Sequence, residues 1–158
     1  MLRRLVSKVV AIKKVFEKFI GATLIGYSTA EIFSDQWEPW NDLPIRLNFN
    51  NGQLISVAWS RFDDLWLSND QSLPFDIYDS KVRWVENAFE DVNRLIGGVI
   101  LSVSLGSGYL ELEGQEITLD TRLIIETDQG MMDIFNALDE NGYAYLPTRP
   151  QNLTVCIP

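Results

Sequence analysis

Carboxylates are the side chains of this sequence best placed to do chemistry. Asp63 and Asp64 are adjacent, and a looser group, Asp35, Glu38 and Asp42, surrounds Trp37 and Trp40. A carboxylate pair can ligate a divalent metal or divide general-acid from general-base work. Both groups must then reach one point, and neighbours on an extended chain face opposite ways, so Asp63 and Asp64 cannot share a site without a turn. Asp70, Asp76 and Asp79 do not complete a calcium-loop spacing, which needs ligands at alternating positions, a Gly at the sixth and a Glu at the twelfth. Histidine is absent and Cys156 is the lone thiol. This removes His-assisted nucleophiles and the four-ligand nitrogen and sulfur cages of zinc. Gly106-Ser107-Gly108 lacks the Lys-Ser/Thr and glycine spacing of a phosphate loop, and reads instead as a hairpin turn. No catalytic residue, metal or cofactor is expected. What remains is recognition. Asp35, Trp37, Glu38, Trp40, Asp42, Asp63 and Asp64 form the candidate partner-binding set, because aromatic anchors dominate interface energy and carboxylates select a basic partner.

The charge balance points the same way. The 158 residues carry a formal net charge of −9, which argues against nucleic acid, whose phosphates need Lys and Arg. The charge is unevenly placed: residues 1–18 hold six Lys or Arg against Glu17, and the acidic excess lies beyond them. One cysteine can form no intrachain disulfide, which suits a reducing compartment. Lys13, Lys14, Glu17 and Lys18 interrupt the only early apolar stretch, so neither a signal peptide nor a spanning helix is expected, and the location reads as cytoplasmic.

These groups need elements to position them. Leu2, Leu5, Val9, Ile12, Phe16 and Phe19 recur at steps of three and four, the pattern of an amphipathic helix that docks on the acidic body or offers itself to a membrane surface or partner. Residues 21–33 read as a strand, with a bulge or bend at Gly26. Residues 45–59 read as a hairpin. A three-residue loop Asn50-Asn51-Gly52 faces Leu47 to Ile55 and Ile45 to Val57. A second helix is expected over residues 80–96, with Val85, Phe89, Val92 and Ile96 on one side and Gly97 ending it. A second hairpin follows over residues 122–135, in which a loop Thr127-Asp128-Gln129-Gly130 pairs Leu123 with Ile134 and Ile125 with Met132. Residues 135–142 read as a short helical or looped cap, and Pro147, Pro150 and Pro158 confine the end of the chain to a sheet edge or a tail.

A shift of 76 residues superimposes Ile20-Gly21 on Ile96-Gly97, Ser28 on Ser104, Leu43 on Leu119 and Arg46-Leu47 on Arg122-Leu123. Average residue usage gives about two such identities in a stretch of this length. The reading is an α+β chain, a single domain over residues 1–158, with two helices packed on mostly antiparallel sheet and two similar halves near residues 1–76 and 77–158.

In the stretches LNFNNGQLISV (residues 47–57), Asp63-Asp64-Leu65-Trp66-Leu67 and FNALDENG (residues 135–142), the chain resembles the small acidic immunity proteins that bacteria make against toxins. The resemblance implies a cytoplasmic inhibitor that covers the active site of a nuclease or similar basic toxin. It carries no functional residue over, and the basic first helix departs from a uniformly acidic profile. Other readings make different demands. A small-ligand carrier needs a closed apolar cavity of a few hundred Å3, a self-associating protein can use the helix stripe in a homodimer, and a carboxylate hydrolase must bind a divalent cation.

Overall fold

The computed structural model describes residues 2–158, apart from the side chains of Leu2, Arg3 and Leu110. The first helix, α1 (Leu2–Phe16), runs into a 3-10 turn, Glu17–Phe19. Ile12, Phe16 and Phe19 are fully buried, with Leu5 and Val9 partly so, as the three-and-four spacing requires. The expected Leu2 contact lies outside the described side chains. Lys8 falls on the same stripe and is buried too.

Among the described residues eleven strands follow, every pairing between them antiparallel. In the first sheet, β1 (Leu24–Phe33) is flanked by β3 (Ile45–Phe49), which pairs with β4 (Leu54–Trp59) and then β5 (Leu65–Ser68). β1 also carries the short β2 (Trp37–Pro39) and the returning β6 (Val82–Glu86). The second sheet joins β7 (Ile100–Leu112), β8 (Gln115–Thr127), β9 (Gly130–Asn136) and β10 (Asn141–Leu146), and β11 (Thr154–Ile157) returns to pair with β7. The two sheets thus share one strand order, β6-β1-β3-β4-β5 and β11-β7-β8-β9-β10. Their inner faces bury Tyr27, Leu47, Ile55, Val57 and Trp59 from one and Val103, Leu105, Leu123, Ile125 and Ile134 from the other, in one core with α1. Each such large side chain contributes about 1.5–3 kcal/mol by leaving water. No helix of the described residues is long and apolar enough to cross a membrane.

The sheets meet at an isolated bridge, Thr23 to Val99. Gly21 N donates to Ile100 O (2.8 Å) and Gly97 N to Leu24 O (2.7 Å); Leu24 N donates to Gly98 O (2.9 Å) and Ile100 N to Ala22 O (3.0 Å). Adding 76 to the donor and subtracting it from the acceptor turns the first bond of each pair into the second, so the junction is reciprocal. Gly21 (φ 86) and Gly97 (φ 91) both adopt the left-handed backbone that ends the preceding helical turn, a conformation open to Gly at little cost. Each hairpin turn then clasps the bridge. Asn50 Oδ1 accepts from Thr23 N (3.0 Å), and Asp128 Oδ1 accepts from Val99 N (2.9 Å).

Both hairpin registers follow the sequence. Leu47 pairs with Ile55 and Ile45 with Val57 around the loop Asn50-Asn51-Gly52. Leu123 pairs with Ile134 and Ile125 with Met132, with Thr127 and Gly130 paired in turn, so that loop narrows to Asp128-Gln129. The bulge at Gly26 is present. Three expectations are corrected. Residues 82–86 form a strand, leaving α2 (Glu90–Asn93) as a single turn of helix. Val82, Trp84 and Val85 favour extended backbone, and β1 offers them a free edge, which the helical spacing could not reveal. Gly106-Ser107-Gly108 is no turn: β7 runs through it with a bulge. A Cβ on Gly108 would lie 2.1 Å from Thr121 Oγ1, and one on Gly106 3.3 Å from both Arg122 Cβ and Leu153 Cδ2, so these glycines permit close approach rather than reversal. Residues 135, 136, 141 and 142 belong to β9 and β10, and the expected cap shrinks to a looped turn over 137–140, with Leu138 and Asp139 at positive φ.

Candidate functional site

Alternation along β5 decides which side chains reach the surface. Leu65 and Leu67 pack against the core, so Trp66 between them faces out. Residues 61–64 form a turn rather than an extended strand, and the turn brings Asp63 and Asp64 to the floor and rim of one groove. Asp64 is exposed and Asp63 is 6 % exposed. Asp63 Oδ1 accepts from Arg4 at 2.8 Å and Oδ2 from Lys8 at 3.1 Å. Lys8 also donates to Asp120 O at 2.8 Å. Burial pushes the Asp63 carboxyl up, but the hydrogen bonds and charges of Lys8 and Arg4 together outweigh it and hold the group below its usual range. Asp63 therefore fastens α1 to the body. It is spent on that contact and does not present itself to a partner.

Asp64 lines an open groove of ≈ 640 Å3 with Asp42, Asp139, Trp66, Phe75 and Arg61. Trp40 supports its wall by packing on Phe75, ring centroids 5.9 Å apart. A second groove of ≈ 610 Å3, floored by Lys8, Ala11 and Asp63, shares Ser60, Asp64 and Trp66 with the first. The two join as one furrow beside α1, lined by Asp42, Asp63, Asp64 and Asp139 together with Arg4, Lys8 and Arg61, the free carboxylates gathering at the end near Asp42.

The floor is rigid because the two halves are welded beneath it. Trp59 Nε1 donates to Ile134 O at 2.8 Å, and Trp59 N donates to Asn141 Oδ1 at 2.8 Å. Asn141 Nδ2 returns a bond to Val57 O at 2.9 Å, and Asn141 N donates to Asn41 O at 2.8 Å. Phe62 N reaches Asp139 Oδ1, and Asn136 Nδ2 donates to Ser60 O. Buried and fully paired amides of this kind are costly to disturb.

Asp42 and Asp64 therefore meet in the furrow, with Trp40 behind its wall. Asp35, Trp37 and Glu38 lie instead at the β2 edge. There the Trp37 ring packs on Phe33 (5.3 Å) and beneath the Arg83 guanidinium (4.3 Å), so it is covered by a cation of its own chain. Trp66, Phe75 and Asp139 were missed from the sequence. The alternation Leu65-Trp66-Leu67 carried a signal for Trp66, whereas Asp139 comes from the other half through long-range packing that leaves no local trace.

No group of three or more Asp, Glu or Cys side chains among the described residues is close enough to hold a metal ion. Cys156 is buried against β7, and burial pushes its thiol up to about 11, the state of an inert structural cysteine. A scan against protein-family models and searches of curated proteins and of solved structures each returned no match.

Proposed function

We propose that the chain is a non-catalytic protein-binding module that blocks a basic partner, in the manner of a cytoplasmic immunity protein covering a toxin nuclease. One observation carries this reading. Asp42, Asp64 and Asp139, drawn from separate loops, converge on one open groove with the rings of Trp66 and Phe75. Carboxylates around an aromatic floor attract and orient a cationic surface, and the aromatics supply the apolar anchor. The core between the sheets is filled by large side chains, which favours a surface binder over a carrier with an enclosed ligand.

The test is affinity capture from lysate of the source organism at low and moderate salt, followed by kinetics with Asp42→Lys/Asp64→Lys. A stoichiometric basic protein is expected, released as salt rises, with association slowed at least tenfold by the double variant. An unchanged on-rate removes the furrow as the contact surface. Recovery of the chain alone removes the inhibitor reading and favours self-association.

We also infer that residues 1–76 and 77–158 are two similar halves of one domain, derived by duplication. The shared strand order, the reciprocal hydrogen bonds at an offset of 76 and the paired clasps of Asn50 and Asp128 support this. Sequence profiles built separately from homologues of each half should detect one another; mutual silence would favour convergence.

A further inference from the structure

The second hairpin outruns its neighbours. β9 covers β8 only over residues 122–127, and β11 covers β7 only over residues 103–105. Residues 107–112 and 115–120 therefore project as a two-stranded ribbon with no further strand on either edge among the described residues. Such a ribbon is marginal alone, and its open edges are templates for another strand. Opposed residues share a face, so Ile117, Leu119 and Leu112 lie on one side and Tyr109, Glu111, Glu116 and Asp120 on the other. Glu111 and Glu116 are direct cross-strand partners, an arrangement that destabilises an unoccupied ribbon. Glu113 stands at the turn, and residues 107–121 contain neither Lys nor Arg.

Beside this edge, Leu112 and Leu119 line an apolar slot of ≈ 230 Å3 with Phe62 and Leu138. Phe62 (φ 55) and Leu138 (φ 57) both hold left-handed backbone, costly for bulky residues. Asn136 and Asp139 fix that conformation by bonding across the two loops. The outcome is two apolar side chains held out to solvent, Leu138 at 89 % exposure. The next groove, ≈ 290 Å3, is walled by Tyr109, Phe135 and Asp133. Asp133 is 4 % exposed, and its Oδ1 has no hydrogen-bond donor, an orphan that calls for one.

We propose that this edge receives an extended segment of the basic partner. The segment adds to β8 as a further strand along residues 115–120, leaving Asp120 O to Lys8, and seats an apolar side chain between Leu112, Leu119, Phe62 and Leu138. Its Lys or Arg side chains turn to Glu111, Glu116 and Asp120. Strand addition draws affinity from main-chain bonds and specificity from alternate side chains. A second copy of the chain is the poorer occupant, since its ribbon would bring the same carboxylates against these. The inference rests on the basic-partner reading for the charge of the occupant, but not on the furrow at Asp42 and Asp64.

The test uses the full chain, labelled with nitrogen-15, and a capped heptapeptide of alternating lysine and valine, with its glutamate-valine counterpart as control. A two-residue turn closing at Leu112 and Gln115 leaves the N–H groups of Glu116, Thr118 and Asp120 facing outward. Saturable binding of the basic peptide below about 1 mM is expected, with slowed exchange at those three amides. Glu111→Lys/Glu116→Lys should weaken it at least tenfold, and so should Leu138→Asp. Failure to saturate, equal binding of the acidic peptide, or peptide that maps only to Asp42 and Asp64 overturns the inference; the last result leaves the proposed function standing. A dimer that Glu111→Lys/Glu116→Lys dissociates would also overturn it, by making a second copy the occupant.

Discussion

Asp63 and Asp133 are both nearly buried aspartates held by cations, one in each half, and they meet the cost of burial differently. Asp63 has two partners, Arg4 and Lys8, one on each oxygen. Asp133 has one, because Arg122 Nε and Nη2 both bond Oδ2, at 2.8 and 2.7 Å, and Oδ1 is left over. Burial pushes both carboxyls up. At Asp63 the cations prevail and the group falls below its usual range, whereas at Asp133 burial prevails over Arg122 and the group rises. The first half has spent its buried charge on internal fastening. The second leaves one buried acceptor without a donor, near a two-stranded ribbon that no further strand covers among the described residues.

The largest effect should come from removing the better-satisfied carboxylate. Asp63→Ala leaves Lys8 buried without its counter-charge, and such a loss costs about 3–5 kcal/mol. Asp133→Ala removes an already incomplete site and leaves Arg122, whose side chain is 28 % exposed, free to reach water. About 1–2 kcal/mol is expected there. Urea denaturation at neutral pH measures both, and equal costs would break the comparison.

Acid titration sharpens it by sign. A carboxyl whose folded pKa is depressed contributes stability above its unfolded value and loses it as pH falls through the folded pKa. The advantage of wild type over Asp63→Asn should therefore shrink below the ordinary carboxylate value of 3.8. Asp133 is raised in the folded state, so ionising it opposes folding. Wild type should lose ground to Asp133→Asn as pH climbs from below 3.8 through the raised pKa. Urea midpoints of the three proteins between about pH 2.5 and 6 read both trends, and parallel curves would remove the distinction.

The hairpins differ in the same sense. β3 and β4 have neighbours along both outer edges, β1 and β5, and their loop glycine, Gly52 (φ 77), has open space around it. Gly52→Ala should cost about 1 kcal/mol through its backbone conformation alone. Gly108→Ala must displace the Thr121 side chain from 2.1 Å in the stem of the projecting ribbon, and about 1–3 kcal/mol is expected. Thermal unfolding of the two variants ranks them, and the reverse order would show that Thr121 gives way freely.

How far the sequence disclosed this arrangement depended on how local each cause was. The stripe from Leu5 to Phe19 and the strand register of both hairpins rest on spacing within a single segment, and the structure carries the pairings they imply. The strand at Val82–Glu86 was hidden because Val85, Phe89, Val92 and Ile96 also satisfy a helical period; the free edge of β1, far earlier in the chain, decided it. Gly106 and Gly108 misled because glycine signals a turn and a close approach with the same letter. At the candidate site, adjacency said that Asp63 and Asp64 could share a groove only through a turn, and the turn at residues 61–64 lets both line one. Nothing local could bring Asp42 to Asp64 and Asp139, since that meeting depends on Asn136 and Asn141 tying the two halves together.

The returning strands offer the smallest contrast. Arg83 lies directly across from Glu31 on β1; its Nε and Nη2 both reach Oε1, at 2.8 and 2.7 Å, and its guanidinium stacks 4.3 Å above Trp37. Arg149, on the crossing that leads to β11, touches Glu126 through one nitrogen at 3.4 Å. Both arginines are about half exposed, where solvent screens an ion pair to well under 1 kcal/mol. Arg83 adds the ring contact and the cross-strand geometry, each worth about 0.5 kcal/mol. Arg83→Ala should therefore cost about 1 kcal/mol and Arg149→Ala less than about 0.5 kcal/mol. Raising the salt should erode the Arg149 difference first, because the stack on Trp37 depends on contact as well as on charge. A salt-insensitive loss at Arg149 would mean that its aliphatic stem packs on the outer face of the second sheet and that the charge at Glu126 is incidental.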